Sequence, residues 1–165
     1  MIRKIVSLET AVRRLDHQRS TGRRIVFTNG CFDLLHVGHV RYLQAARALG
    51  DRLVVGLNAD ASVRRIKGPC RPINSQAQRA EVLAALTCVD LVVIFEEDDP
   101  LGLILRLKPQ VLVKGADWEK SRIVGAREVL AAGGRVETIA VVPDVSTSLL
   151  IERIAARCAG TTGPA

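Results

Sequence analysis

The spacing of apolar positions changes repeatedly along the chain. Residues 7–19 (SLETAVRRLDHQR) place Leu8, Ala11, Val12 and Leu15 on one face behind a Ser7 cap, which predicts an amphipathic helix ended by Thr21-Gly22. Arg24-Ile25-Val26-Phe27-Thr28 is short, apolar and β-branched, as a buried strand is, and VRYLQAARAL beyond it has helical spacing. The same reading predicts strands at 24–28, 52–57, 90–95, 110–114 and 135–141, alternating with helices at 38–49, 60–66, 75–86, 100–107, 122–132 and 147–157.

Strands that alternate with helices pair in parallel, because each crossover carries the chain back to the same end of the sheet. The expected fold is α/β: a doubly wound, five-stranded, Rossmann-like parallel sheet with helices on both faces. One domain is expected over 1–158, with helix 7–19 packed on it. Residues 159–165 (AGTTGPA) are small and polar and are expected to form a flexible tail. Ligands of such sheets bind at the carboxyl ends of the strands. That nominates Asn58-Ala59-Asp60 after the second strand, Lys114-Gly115-Ala116-Asp117-Trp118 after the fourth, and Pro143-Asp144-Val145-Ser146-Thr147-Ser148 after the fifth.

Composition narrows the choice of partner. The 165 residues are 48% hydrophobic, enough for one core, and no apolar run approaches the roughly 20 residues of a bilayer span. Cys31, Cys70, Cys88 and Cys158 follow no metal or disulfide spacing, and the N-terminus does not resemble a leader, so a reducing cytoplasm is expected. The net charge of +7 comes with 19 arginines against 5 lysines, as an arginine-favouring genome produces. Aromatic residues are 3% of the chain and the basic residues are scattered, which leaves no stacking surface or charged stripe for nucleic acid.

The densest chemistry lies in Thr28-Asn29-Gly30-Cys31-Phe32-Asp33-Leu34-Leu35-His36-Val37-Gly38-His39, at a strand-to-helix junction. The first N–H groups of a helix lack internal partners and sit at the positive end of its dipole, so a phosphate is held there. His36 and His39, at i and i+3, share a face and can donate to one group of oxygens. Gly30 is expected to free the turn, and Gly38 to leave room for a ligand. Histidines without a role are the plain alternative. Zinc lacks ligands, since the remaining histidine is His17 and no Cys-x-x-Cys occurs. Neither G-x-G-x-x-G nor a P-loop is present.

Further candidates each have an ordinary alternative. Residues 62–73 carry four cations, two prolines and Gly68, and read either as a solvated loop or as a flap that clamps a polyphosphate through Lys67 and an arginine, with Gly68 as hinge. Arg79 stands among apolar neighbours and needs a reason for its charge. Lys114, after Val111-Leu112-Val113, is a snorkelling side chain or a phosphate ligand. Ser146-Thr147-Ser148 form a helix cap, and a cap can also bind an anion.

Gly30-Cys31-Phe32-Asp33 with His36-Val37-Gly38-His39, Arg79, Lys114-Gly115-Ala116-Asp117-Trp118 and Ser146-Thr147-Ser148 resembles the cytidylyltransferase-like nucleotidyltransferase superfamily, whose signature is H-x-G-H. Within it, residues 25–33, Lys67-Gly68-Pro69-Cys70-Arg71-Pro72-Ile73-Asn74 and Val113–Asp117 resemble D-glycero-β-D-manno-heptose 1-phosphate adenylyltransferases. The likeness runs from about residue 3 to 157. Two departures are Ser148 where the family has threonine and Ala59 where serine is common.

The resemblance implies AMP transfer from ATP to the anomeric phosphate, giving ADP-heptose, a precursor of the lipopolysaccharide inner core, and pyrophosphate. It implies catalytic roles for His36, His39, Lys67 and Arg79. Nucleotide or acceptor contacts are implied for Thr28, Asn29, Gly30, Cys31, Phe32, Asp33, Gly38, Asn58, Asp60, Lys114, Gly115, Asp117, Trp118 and Ser146, Thr147 and Ser148. Mg²⁺ would be held by phosphate oxygens, with no dedicated protein ligands. Asp33 is left between the metal, the sugar phosphate and an Asx turn, and Trp118 between a contact and packing. Family members are often fused to a sugar kinase, for which 165 residues leave no room, so a stand-alone transferase is expected. Homodimers or higher homo-oligomers are common in the superfamily. Transfer to glycerol 3-phosphate or phosphopantetheine, and a non-catalytic nucleotide-binding subunit, stay open as alternatives.

Overall fold

A computed structural model describes residues 4–116, 119, 122–140 and 142–158. The elements in chain order are α1 (Leu8–Ser20), β1 (Ile25–Gly30), α2 (Val37–Arg47), β2 (Arg52–Asn58), α3 (Asp60–Lys67), α4 (Gln76–Ala85), β3 (Leu91–Phe95), α5 (Leu101–Leu107), β4 (Val111–Gly115), α6 (Ala126–Ala131), β5 (Arg135–Ile139) and α7 (Thr147–Cys158). The expected strand at 135–141 stops at Ile139, and the 159–165 tail lies outside the described residues.

All strands pair in parallel, in the order β3-β2-β1-β4-β5. The first strand is therefore central. The chain winds outward from it through β2 and β3, then returns to its other side as β4 and β5. The two halves part between β1 and β4, and the crevice for a ligand opens beyond their carboxyl ends.

Helices on both faces make a near-continuous apolar strand favourable. Val26 and Phe27 of β1 and Val54 and Val55 of β2 are fully buried and divide between two core clusters. One cluster joins Ile25, Phe27 and Val54 to Leu15 of α1, Leu103, Ile104 and Leu107 of α5, and Val129 of α6. The other joins Val26, Leu53 and Val55 to Leu43 of α2 and Leu83 of α4. Each such side chain stabilises the fold by roughly 1.5–3 kcal/mol. Helix α1 forms as its pattern predicts, with Ser7 accepting the Thr10 N–H and Gly22 at φ 78 just past the Thr21 cap. Arg47 and Arg52 converge on Asp90, and Asp90 accepts the Leu53 N–H, which fixes β2 against the start of β3.

Candidate active site

The first core strand ends by delivering its loop to the crevice. His36 is the N-cap of α2, extended at φ −139 and ψ 172, and its side chain makes no capping hydrogen bond. His39 lies in the first turn, and that turn contains no acidic residue. The N–H groups of Val37, Gly38 and His39 thus open an uncompensated helix N-terminus. The two imidazoles stack, with centroids 3.8 Å apart and planes at 26°. Nδ1 of each ring, and Oδ1 of Asn29, is buried without a hydrogen-bond partner among the described residues. Buried polar atoms are normally paired, so these three mark bonding capacity that the fold has not used.

Burial pushes both imidazoles toward the neutral form. For His39 burial acts first and the neighbouring His36 charge second, and together they bring its pKa down to about 4. His36 moves in the same direction through burial alone. Neutral rings can stack closely without repulsion, and each still has one N–H to donate. Burial also pushes the Cys31 thiol up against the opposing pull of Lys67, so Cys31 supplies no thiolate nucleophile at neutral pH.

The glycines act differently from the expectation. Gly30 is the last residue of β1, and the left-handed backbone belongs instead to Phe32, at φ 43. A Cβ on Gly30 would stand 3.1 Å from the Phe32 ring, so Gly30 makes room for that ring and not for a turn. A Cβ on Gly38 would stand 3.0 Å from the His36 ring, so Gly38 admits His36 itself.

A cavity of about 580 Å³ joins this loop to distant segments. Asn29, Gly30, Cys31, Phe32, Asp33, His36, Gly38, His39, Asn58, Lys67, Lys114, Gly115, Ser146, Thr147 and Ser148 all line it. Ser146 accepts the Leu149 N–H, and Thr147 Oγ1 donates to the Leu34 carbonyl, which brings the N-terminus of α7 to the loop of α2. The first turn of α7 also lacks an acid, so two helix N-termini face one space. Lys114 reaches back over β1, its Nζ 3.4 Å from the Asn29 carbonyl. Lys67 is exposed at the end of α3.

Arg79 departs from its expected role. It is 2% exposed and does not line the cavity. Its Nε donates to the Asn74 carbonyl and one terminal nitrogen to the Cys31 carbonyl, while the other reaches the Asn58 carbonyl and Asp60 Oδ1, both at 2.8 Å. The guanidinium ties together the loops that leave β1 and β2 and the start of α4, and spends four of its five N–H bonds inside the protein. Asp60, expected at the nucleotide, is its counter-ion and also stands outside the lining. Thr28 is fully buried and shares a 2.7 Å hydrogen bond with the Tyr42 hydroxyl, again outside the lining.

Asp33 lines the cavity, but its carboxylate is occupied. Oδ1 accepts the N–H groups of Ile73 and Asn74, and Oδ2 pairs with Arg71 at 2.5 Å. Burial pushes the carboxyl up, and these donors more than reverse it, leaving it below the usual carboxylate value. The 62–73 segment, open in sequence between a solvated loop and a flap, is therefore largely anchored. Its first part is α3, whose Ser62 is buried and whose Arg65 bonds Asp98 and the Glu96 carbonyl, and its last part is held by Asp33. Gly68, at φ 96, ends α3 between these anchors.

Residues 27–153 match the cytidylyltransferase-like family. The chain belongs to that family. Nucleotidyl transfer is thus the chemistry of this fold, with a nucleoside triphosphate as one substrate and a small molecule as the other. The chain is 58% identical over 151 residues to the bifunctional protein HldE of Geotalea uraniireducens, and 59% identical over 140 residues to that of Syntrophotalea carbinolica. These alignments take in 92% and 85% of this chain but 31% and 29% of the relatives, so the chain spans less than a third of their length. The crystal structure of the lipopolysaccharide core biosynthesis protein from Thermoplasma volcanium aligns at a TM-score of 0.61 and 28% identity, over 73% of this chain and 98% of that one.

A cytidylyltransferase-like site must hold a triphosphate, and some of its walls were not anticipated from sequence. Tyr42, Arg71, Asp98 and Asp99, and the apolar Ile66, Ile123, Val124, Val142 and Val145, also line the cavity. Tyr42 had a signal, since it follows His39 by three on the same helical face. The valines and isoleucines had none, because they look like any core position. Asp117 and Trp118 lie outside the described residues. No group of three or more His, Cys, Asp or Glu side chains placed to hold a metal occurs among the described residues. Among the lining carboxylates Asp33 is bonded within the protein, and Asp98 and Asp99 are oxygen donors of the type that suits a hard cation.

Proposed function

We propose that this chain transfers AMP from ATP to D-glycero-β-D-manno-heptose 1-phosphate, releasing pyrophosphate and forming ADP-heptose for the lipopolysaccharide inner core. The observation that carries the proposal is the stacked His36–His39 pair on the open N-terminus of α2, across one cavity from the N-terminus of α7. Supporting the acceptor are the likeness to HldE and the likeness to the lipopolysaccharide core biosynthesis protein of Thermoplasma volcanium.

The acceptor phosphate is an anion at neutral pH, so one of its oxygens attacks the α-phosphorus without a general base. A new P–O bond forms, the bond to the bridging oxygen of the β-phosphate breaks, and that oxygen leaves with the negative charge of pyrophosphate. His36 and His39 donate to oxygens around the α-phosphorus and to the leaving oxygen, where charge builds. Lys67, Lys114 and the Ser146–Ser148 turn hold the β- and γ-phosphates, and the two helix N-termini add their dipoles. Mg²⁺, when present with the triphosphate, would supply charge neutralisation there. Arg79 and Asp33 hold the walls in place and touch no reacting atom. With no helix long and apolar enough to cross a membrane among the described residues, a cytoplasmic location is part of the same proposal.

The test is pyrophosphate release from ATP and from CTP, with Mg²⁺, against heptose 1-phosphate, glycerol 3-phosphate and phosphopantetheine. Release that needs ATP and heptose 1-phosphate is expected. Dependence on CTP or on another acceptor moves the chain to a different substrate, and silence with every pair overturns the reading.

A further inference from the structure

A histidine that works at a fixed point is normally oriented through its second ring nitrogen, which donates to a carboxylate or carbonyl. His39 has no such partner: its Nδ1 is buried and unbonded among the described residues. Packing must therefore set the plane of the ring. One face of His39 lies on His36, and the Phe32 ring meets it edge-on, with centroids 5.3 Å apart and planes at 61°. This is a favoured aromatic geometry, worth about 0.5–1.5 kcal/mol beyond the area it buries.

Phe32 is itself tightly held. Its ring is 7% exposed and belongs to the same apolar cluster as Leu43 of α2 and Val55 of β2. On the side of β1 it lies over Gly30, where a Cβ would come within 3.1 Å of it. Its backbone sits at φ 43, a conformation costly for a residue with a side chain and retained only where the surroundings enforce it. That turn carries the ring back from the loop toward the first turn of α2. The side chain of Phe32 has no donor for a phosphate, so the place of its ring in the lining calls for another role.

We propose that Phe32 is the positioning residue of His39, holding the imidazole by edge-to-face contact where other sites use a hydrogen bond. The proposal rests on the reading that His39 donates to the reacting phosphate. Phe32 also keeps water from the ring, which adds to the burial that favours neutral His39. Charged and titratable groups facing the same space are His36 and Tyr42 at the start of α2, Cys31 and Asp33 in the loop, Lys67 and Arg71 around the α3–α4 connection, Asp98 and Asp99 after β3, and Lys114 on β4. Of these, His36 is the one whose charge acts on His39.

The experiment compares Phe32→Leu, Phe32→Tyr and Gly30→Ala, alone and in a His39→Ala background, by kcat and KM for ATP, with the His39 ring protons followed by NMR as pH falls. Phe32→Leu is expected to lower kcat about 10–100-fold with KM for ATP within about twofold, the scale of a displaced catalytic group. Phe32→Tyr, which keeps the ring edge, should stay within about threefold of the parent. In the His39→Ala background Phe32→Leu should cost nothing further, and the His39 midpoint should rise when the phenyl ring is removed. An undiminished loss in that background, or an unmoved midpoint, overturns the proposal. If Phe32→Leu does not fold, Gly30→Ala crowds the same ring from behind and must give the same non-additivity. Should the parent enzyme release no pyrophosphate, the reading of its function fails, while the His39 titration still reports on Phe32.

Discussion

Two sets of polar side chains meet at the carboxyl ends of β1 and β2, and they differ in how far the protein satisfies them. Around the α3–α4 connection, Arg79 donates to three carbonyls and a carboxylate, and Asp33 accepts from Arg71 and two backbone N–H groups. Around the start of α2, His36, His39 and Asn29 each keep a buried atom with no partner among the described residues. The first set is closed and holds loops together. The second is open, and on the proposed reading it stands where the substrate binds. A buried charge alone does not mark a reactive position; what matters is whether the fold has already used its bonding capacity.

Substitutions should separate the two sets by what they damage. Arg79→Ala strands the Asp60 carboxylate and three carbonyls, and is expected to cost about 3–5 kcal/mol of stability, read from the urea midpoint. A midpoint near that of the parent would reassign Arg79 to the open set. His39→Ala should do the reverse. Losing a preorganised donor is worth about 2.7–4 kcal/mol of transition-state stabilisation, so kcat should fall roughly 10²–10³-fold while the urea midpoint moves less than for Arg79→Ala. A rate within about threefold of the parent would remove His39 from catalysis.

Acid should expose the open set. The pKa of His39 is depressed to about 4 in the fold, so the unfolded chain takes up its proton first. The stability linked to this group is intact above about pH 6.5 and is lost as pH falls through about 4, on the order of 3 kcal/mol in all. Urea titrations across that window should show the loss, and His39→Ala should flatten it. Asp33 shifts in the same sense at lower pH, because its carboxyl is also depressed. Replacing it, as Asp33→Asn, should cost about 1.5–3 kcal/mol through the charged hydrogen bond to Arg71, with a smaller effect on kcat than His39→Ala. Lys67→Ala, at an exposed position, should leave stability within about 0.5 kcal/mol and raise KM for ATP. An unchanged KM would show that Lys67 does not reach the triphosphate.

Much of this arrangement is legible in the chain alone. The alternation of apolar runs and helical spacing specifies the order in which strands and helices appear, the parallel sheet and the end at which its crevice opens. The two histidines are placed at a helix start by their neighbours. The reasons assigned to Gly30 and Gly38 were incomplete, because the atoms they accommodate belong to Phe32 and His36, whose ring positions depend on the turn between them. Arg79 was correctly marked as a charge in need of a reason among apolar neighbours. Its partners, however, lie at Cys31, Asn58 and Asp60, up to 48 residues away, and no local pattern names them.

Local periods, caps and donor types follow from interactions within a few residues along the chain, so they are written in the order of the amino acids. Which donors are already occupied is settled by packing. Hydrogen-bond capacity is consumed by whatever folding brings within about 3 Å, and for Arg79, Asp33 and Thr28 those partners come from other segments of the chain. The difference between a residue that holds this site and one that works in it is therefore a property of the packed molecule.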